Sequence, residues 1–532
     1  MSMLQNVSAA SQKVAIWKAN PIVYEINTWV WLRDLSGKYG YEINLLNVPD
    51  AELVDLASWG FDAVWLMGVW RRGPATRLSA LNYLHEYQFA LPDVTEADVP
   101  GSAYAIQDYQ VEEQIGGRHG LAAFRGRLAA QGIKLVLDYV PNHVATDHRW
   151  IHSHPEYFIP GTTSELESRS EDFFLANTVN GEKVIARGRD PYFPSWIDTA
   201  QLNAFSPGLR RAAIDTLIDI GSQCDGVRCD MAMLMMNSVF ATTWGARAGF
   251  HPAREFWTVI IPAVRGAHPQ MLFMAEVYWD LEQELQRQGF DYTYDKRLYD
   301  RVIDNDIPSI RAHLSADPAF LRSHIRFIEN HDEERAATVL GSDRQRVAAA
   351  LICTLPGAVL LHEGQLTGHS VKLPVQINRR TQQPENTLLK RFYRRLLGET
   401  RHMLYRLGYW QLIETCPAQE GDHACDNLIA YTWEYKYERR LIAINLADTW
   451  SRSRLGLSGW ALPNGCRLQL YDVLTESHSE KAIDDSHAIL LEVAPRSAHI
   501  FRVVVRNSGR HRATNEQDQP MQLGNATAKD WQ

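Results

Sequence analysis

Several features that would take a chain out of the ordinary globular class are scarce here. There are six cysteines in 532 residues, Cys224, Cys229, Cys353, Cys416, Cys425 and Cys466, scattered without a repeating spacing. That is too few and too unpatterned for a disulfide framework, so reduced, structural thiols are expected. No long apolar run occurs: AAALICTLPGAVLL, the longest, is cut by Thr354, Pro356 and Gly357, which argues against a membrane span. The opening MSMLQNVSAASQKVAIWKAN has no apolar stretch behind a basic one. No secretory signal is therefore read, and a cytoplasmic location is expected. Basic charge is short as well: 54 Lys and Arg stand against 63 Asp and Glu, a net charge of -9. A nucleic-acid partner held through its phosphates is not expected.

Some familiar motifs are missing too. IGGRHG at 115–120 does not directly follow a predicted strand and reads as a turn entering a helix, not a phosphate loop. In NHVATDHRWIHSHPEYF, His148 and His152 are four apart, but Arg149 stands where a zinc H-E-x-x-H motif has glutamate. No zinc site is read there.

What is present is alternation. Apolar or β-branched runs at 22–27, 62–67, 133–140, 225–230, 272–277, 290–295, 324–330 and 357–362 are separated by amphipathic patterns such as GLAAFRGRLAAQG and GLRRAAIDTLIDIG. Strand–helix alternation implies parallel strands with helical crossovers, and eight such strands imply a (β/α)8 TIM barrel over 16–404. The stretch 145–205, rich in Pro, Gly, Ser and charge, is expected as a subdomain inserted after strand 3. From 405 to 506, runs such as NLIAYTWEY, RLIAINL and AHIFRVVV follow without helices and predict an antiparallel C-terminal β domain. Residues 1–15 and 507–532 are expected to be flexible.

In such a barrel, functional residues gather at the C-terminal ends of the strands. Here the third strand finishes on DYVPNH, the fourth on GVRCD, the fifth on AEVYW and the seventh on ENHDEER. Arg228 and Asp230 lie two apart and share one strand face. Burying that pair is costly unless the partners satisfy each other. A salt-bridged rim is the plain alternative, but it explains one strand better than four.

These four segments, in this order, resemble the four signature regions of the α-amylase family, glycoside hydrolase family 13, across roughly residues 15–505. The resemblance implies Asp230 as catalytic nucleophile, Glu276 as general acid/base and Asp332 as transition-state stabiliser. It implies substrate contacts at Tyr104, His143 and His331, with Arg228 aiming the nucleophile and Arg335 in the charged rim. Such enzymes need one ionised and one protonated carboxyl group. No cofactor is required by that chemistry. Asn142 stands where many members place a calcium ligand; calcium wants six to eight oxygens, and a loop-fixing asparagine is the equal alternative.

The sequence also departs from the family. Met233 and Leu234 occupy places where many α-glucan-degrading members have a Lys–His pair, and Leu366 stands in a segment where GQE is common. An apolar lip on the acceptor side is expected from the first change. The leading expectation is a retaining hydrolase of maltooligosaccharides or related α-glucans. The alternatives are a transglycosylase handing its glycosyl group to a sugar or phosphate, and a non-catalytic binding relative. An oligosaccharide is the expected partner, with neither nucleic acid nor membrane; the oligomeric state is left open.

Overall fold

In a computed structural model of the chain, which describes residues 17–463 and 465–506, the eight predicted runs become eight parallel strands closed on themselves. They are β1 (Ile22–Asn27), β2 (Ala63–Met67), β3 (Lys134–Tyr139), β4 (Gly226–Cys229), β5 (Leu272–Ala275), β6 (Tyr292–Tyr294), β7 (His324–Arg326) and β8 (Ala358–His362). Each pairs with its neighbours in sequence, and β8 closes on β1 through Ile22 opposite Val359 and Tyr24 opposite Leu361. The fold is the predicted TIM barrel. The expectations for 1–15 and 507–532 lie outside the described residues.

The strands form because their side chains are buried on both faces. In β2 (AVWLM) and β8 (AVLLH) every residue is buried, as expected of parallel strands covered by helices. The crossovers start where the sequence supplies caps. Ser206 accepts the Leu209 N–H ahead of Pro207–Gln223, and Asn386 accepts the Leu389 N–H ahead of Thr387–Thr400.

Element ends differ from the sequence reading in an informative way. The run 324–330 is a strand only to Arg326, so Glu329 to Asp332 sit on the loop beyond it. The helix after β5 begins only at Glu282, because Trp279 and Asp280 take left-handed φ angles of 65° and 62°. Both shifts lengthen the loops that carry polar residues above the barrel.

The inserted stretch is more regular than its composition suggested. His143–Ala145 pairs antiparallel with Thr199–Gln201, and Phe173–Thr178 forms a hairpin with Gly181–Ala186. Val144, Ile151, Phe158, Ile185, Ala200 and Leu202 give it a small core of its own. The C-terminal part is all antiparallel, a six-stranded and a three-stranded sheet. Its strands Ser451–Gly456 and His478–Ala482 went unrecognised in the sequence because they carry alternate small or charged residues in place of an apolar run. Among the described residues no helix is long and apolar enough to cross a membrane, and all six cysteines are free.

The two parts are joined by a buried charge. Glu399, at the end of the helix Thr387–Thr400, accepts Arg440 Nε at 2.5 Å on one oxygen and Arg502 Nη2 at 2.6 Å on the other. Removing the carboxylate leaves the enclosed Arg440 without its main counter-charge. Glu399→Ala is expected to cost about 3 kcal/mol, read as a lower urea midpoint for the unfolding of the barrel–sheet junction.

Candidate active site

Arg228 points inward from β4 with no exposure at all, and the site is built around it. Its Nη1 donates to Asp230 Oδ1 at 2.7 Å and reaches Asp138 Oδ1 at 3.4 Å; its Nη2 donates to Glu276 Oε2 at 2.7 Å. Nη2 also lies 3.9 Å from Asp332 Oδ2. The Tyr294 hydroxyl on β6 accepts from Nε at 3.3 Å, so each guanidinium nitrogen has a partner. The rings of Trp65 and Tyr104 each lie 5.2 Å from the guanidinium carbon. Four strands thus deliver their charges to one cation.

The backbone turn after β4 adds a further contact. Met231 takes a left-handed φ of 41°, and its N–H donates to Glu276 Oε2 at 2.7 Å. A non-glycine residue in that region is strained, and such strain persists where surrounding contacts hold it. On the other Glu276 oxygen the Tyr278 hydroxyl donates at 2.7 Å. A hydroxyl can also accept, so Tyr278 suits either protonation state of the acid.

One cation cannot neutralise three buried carboxylates and a fourth open to the cleft, and the charge is shared unevenly. Burial, against the pull of Arg228 and with Asp230 and Asp332 nearby, pushes Glu276 up to about 7. Burial likewise raises Asp230, although Arg228 opposes it, and raises Asp138 to about 6. Asp332 behaves differently. Its side chain is 46% exposed to the cleft although protein surrounds its other side. What burial it has works to raise it, but His331 and Arg228 hold it down to about 2. The arrangement therefore raises Glu276 while holding Asp332 down, so carboxyl groups of one cluster differ in how readily they keep a proton.

His331 links this cluster to β1. Its Nδ1 lies 2.5 Å from Glu25 Oε1, and its Nε2 lies 2.9 Å from Asp332 Oδ2. Burial disfavours its charge, yet the two carboxylates raise its pKa well above the ordinary value. The Tyr104 ring stacks on His331 with centroids 5.1 Å apart, and its buried hydroxyl has no partner in the protein.

These groups open on a cleft of about 330 Å³ lined by Tyr104, His143, Trp196, Asp230, Glu276 and Asp332, together with Ser102, Met231, Tyr278, Val375 and Gln376. His143, brought in by its pairing with Gln201, is lowered by burial to about 4 and lies 4.9 Å from the Trp196 ring.

Several predicted contacts fall elsewhere. Met233 and Leu234 are 0% and 3% exposed, in the helical turn Ala232–Met235. The turn winds them into the core, and Met231 faces the cleft in their place, so any apolar lip comes from Met231 and not from the two residues expected. Arg335 is also sealed off: its Nη1 donates to Glu329 Oε1 at 2.6 Å and to the Glu363 carbonyl at 2.8 Å. It is a rim-network residue and not a substrate contact. Arg228, fully enclosed, touches carboxylates and cannot reach a substrate.

Asn142 is not arranged as a calcium ligand. Its side-chain oxygen accepts Gln201 Nε2 at 2.9 Å, and its amide nitrogen donates to Gln201 Oε1 at 3.3 Å. Among the described residues no group of three or more His, Cys, Asp or Glu is placed to hold a metal ion. The donor set does not fit calcium, and Asn142 pins the insertion to the barrel.

Glu25, Tyr278, Trp196 and Met231 were missed by the sequence reading. Glu25 had a usable signal, a lone carboxylate in the apolar run IVYEIN. Trp196 had none, because the insertion's path is set by pairings that no periodicity announces.

Fold and site together define a (β/α)8 protein with an acidic cleft at the C-terminal rim, organised by one buried arginine. Residues 52–206 match the family described as "Alpha amylase, catalytic domain". The chain is 24% identical over 361 residues to alpha-amylase MalA of Haloarcula japonica, and 21% identical over 373 residues to alpha-amylase 3 of Dictyoglomus thermophilum. Each match takes in 66% of this chain but only 45% and 65% of those relatives, so the chain spans about half to two thirds of their length. Among solved structures, the noncanonic maltogenic alpha-amylase AmyB of Thermotoga neapolitana superposes with a TM-score of 0.66 at 19% identity, covering 91% of this chain and 99% of that one. The debranching enzyme of Nostoc punctiforme does so at 0.61 and 16%, covering 92% and 100%. Residues 52–206 thus resemble an α-amylase catalytic domain, and the fold is one that solved α-amylases share.

The His331 geometry can be checked directly. In Glu25→Gln the imidazolium loses one of its two counter-charges and keeps Asp332, so its pKa should fall. Isotope-labelled histidine followed by NMR against pH reads that shift; an unchanged titration contradicts the role given to Glu25.

Proposed function

We propose that the protein is a retaining glycoside hydrolase acting on α-glucosidic bonds of maltooligosaccharides or related α-glucans. The observation that carries the reading is the sharing of one guanidinium by Asp230 and Glu276, one on each terminal nitrogen. That holds two carboxyl groups side by side on one cation, the kind of arrangement a double displacement uses.

In this reading Asp230, kept ionised and aimed by Arg228, attacks the anomeric carbon. Glu276 gives its proton to the departing glycosidic oxygen, and Tyr278 holds that acid in place. The bond to the leaving sugar breaks as the bond to Asp230 Oδ forms. Glu276, now ionised, then takes a proton from water, whose oxygen displaces Asp230 and regenerates the site. Asp332, open to the cleft and held anionic by His331, stabilises the positive charge on the sugar ring. Tyr104 offers its partnerless hydroxyl, and His143, neutral above about 4, offers an imidazole to the same sugar.

Transfer loses the two residues on which it rested, because Met233 and Leu234 are buried. A non-catalytic role is disfavoured because a cluster of buried carboxylates is expensive to keep without a use.

Two measurements test this. Chromatography of products from defined maltooligosaccharides, with and without glucose or phosphate, should show shorter sugars from the wild type and loss of at least roughly a thousandfold in Asp230→Asn. The melting curve should shift little. Longer products or a glycosyl phosphate contradict hydrolysis, and full turnover by Asp230→Asn contradicts the nucleophile. The second is the pH profile of kcat. Glu276 must be protonated to act, so activity should fall as pH rises through about 7, and in Glu276→Gln that alkaline limb should vanish with most of the activity.

A further inference from the structure

The segment 99–104 separates two spaces. Ser102 and Tyr104 line the cleft, while Val99 and Pro100 line a second cavity of about 560 Å³ against the cleft's 330 Å³. Its polar wall is made by Arg72, Arg77, Glu112, Gln114 and Asn378, beside the ring of Trp29. Nothing in the chemistry above uses it.

Arg72 is the unusual member. It is 9% exposed, and its guanidinium meets only backbone carbonyls: Nη1 donates to Gly101 O at 2.8 Å and Nη2 to Gly68 O at 3.4 Å. Its Nε is buried with no partner, and the Trp29 ring lies 5.1 Å from the guanidinium carbon. Burial without a paired acid lowers its pKa to about 10. Arg77, exposed at the mouth, likewise donates only to carbonyls, Val99 O at 3.1 Å and Glu96 O at 3.0 Å. Among the described residues no carboxylate ion-pairs with either arginine.

The nearby acids are taken. Asp98 is held by Arg379 at 2.9 Å and Arg33 at 3.1 Å, and Asp93 by Arg379 at 3.0 Å. Asp147 accepts the Ala75 N–H in the first turn of the helix Pro74–Leu81. Glu112 is the carboxylate on the wall, and one of its oxygens accepts the Glu113 N–H. An enclosed guanidinium with no ion-paired acid, on which Glu112 acts only without direct contact, is costly, and a ligand anion would reduce that cost. A bare oxyanion would leave most of the cavity unfilled and would face Glu112. A ligand with hydroxyls could instead donate to Glu112 and bond the amides of Gln114 and Asn378.

We propose that this cavity binds a phosphorylated monosaccharide, with its phosphate at Arg72 and Arg77 and its hydroxyls on Glu112, Gln114 and Asn378. The site is separate from the cleft, and Arg72 Nη1, which holds Gly101 O, connects its occupancy to the loop bearing Tyr104.

Isothermal titration of the whole chain with glucose 6-phosphate, inorganic phosphate and glucose tests this. Glucose 6-phosphate should bind roughly tenfold or more tighter than either fragment. Arg77→Ala, a surface change that leaves the core intact, should weaken it roughly tenfold through loss of a charge-assisted bond. Asp230→Asn should leave it unchanged, which separates this cavity from the cleft. Arg72→Met should abolish binding where its melting curve shows a folded chain. No binding of glucose 6-phosphate, binding unaffected by Arg77→Ala, or binding lost in Asp230→Asn overturns the proposal. Equal affinity for inorganic phosphate or for glucose overturns the phosphorylated-sugar assignment.

Discussion

Arg228 carries a full positive charge where no water reaches it, and the barrel rim is arranged to make that tolerable. A lone buried guanidinium would be very costly, so four carboxylates and a tyrosine from neighbouring strands converge on it. The same convergence leaves more negative groups than positive ones. That imbalance decides which carboxyl keeps its proton, and Glu276, enclosed and close to two aspartates, is the group that does.

The fold supplies this geometry cheaply. Parallel strands bring their C-terminal ends to one rim, so a single residue from each of β1, β3, β4 and β6 meets at the barrel mouth without any long loop being ordered for the purpose. Asp138, Arg228 and Tyr294 sit within strands, where position is fixed by pairing. Glu276 and Asp230 come one residue after their strands, held by pairing-like bonds from Glu276 N to Cys229 O and from Asp230 N to Tyr139 O. Asp332 is on a longer loop and is the most open of the group.

How much of this could be read in the chain depended on the kind of signal. The eight barrel strands and their order were legible because both faces are buried, which writes each strand as an apolar run. The catalytic cluster was legible because charges inside such runs are conspicuous: Arg228 and Asp230 interrupt β4 and its end, and Glu276 follows LFMA. Burial direction beyond a strand end was not legible. Met233 and Leu234 are apolar whether they face a cleft or a core, and the left-handed turn at Met231 that decides between these has no marker such as glycine. Asn142 was left between two readings because the partner that takes its amide, Gln201, is distant in sequence. Arg335 was read into the charged rim, where Glu329 of the same motif holds it.

The account rests on Asp230 being the group that bonds to the sugar while Arg228 holds it ionised. The most direct measurement is peptide mapping by mass spectrometry after reaction with a fluorinated α-glucosyl fluoride, which forms a glycosyl-enzyme quickly and hydrolyses it slowly. The account predicts one added sugar, on the peptide containing Asp230, and none on Glu276 or Asp332. A sugar attached elsewhere, or turnover of the reagent with no adduct at any stage, would contradict it.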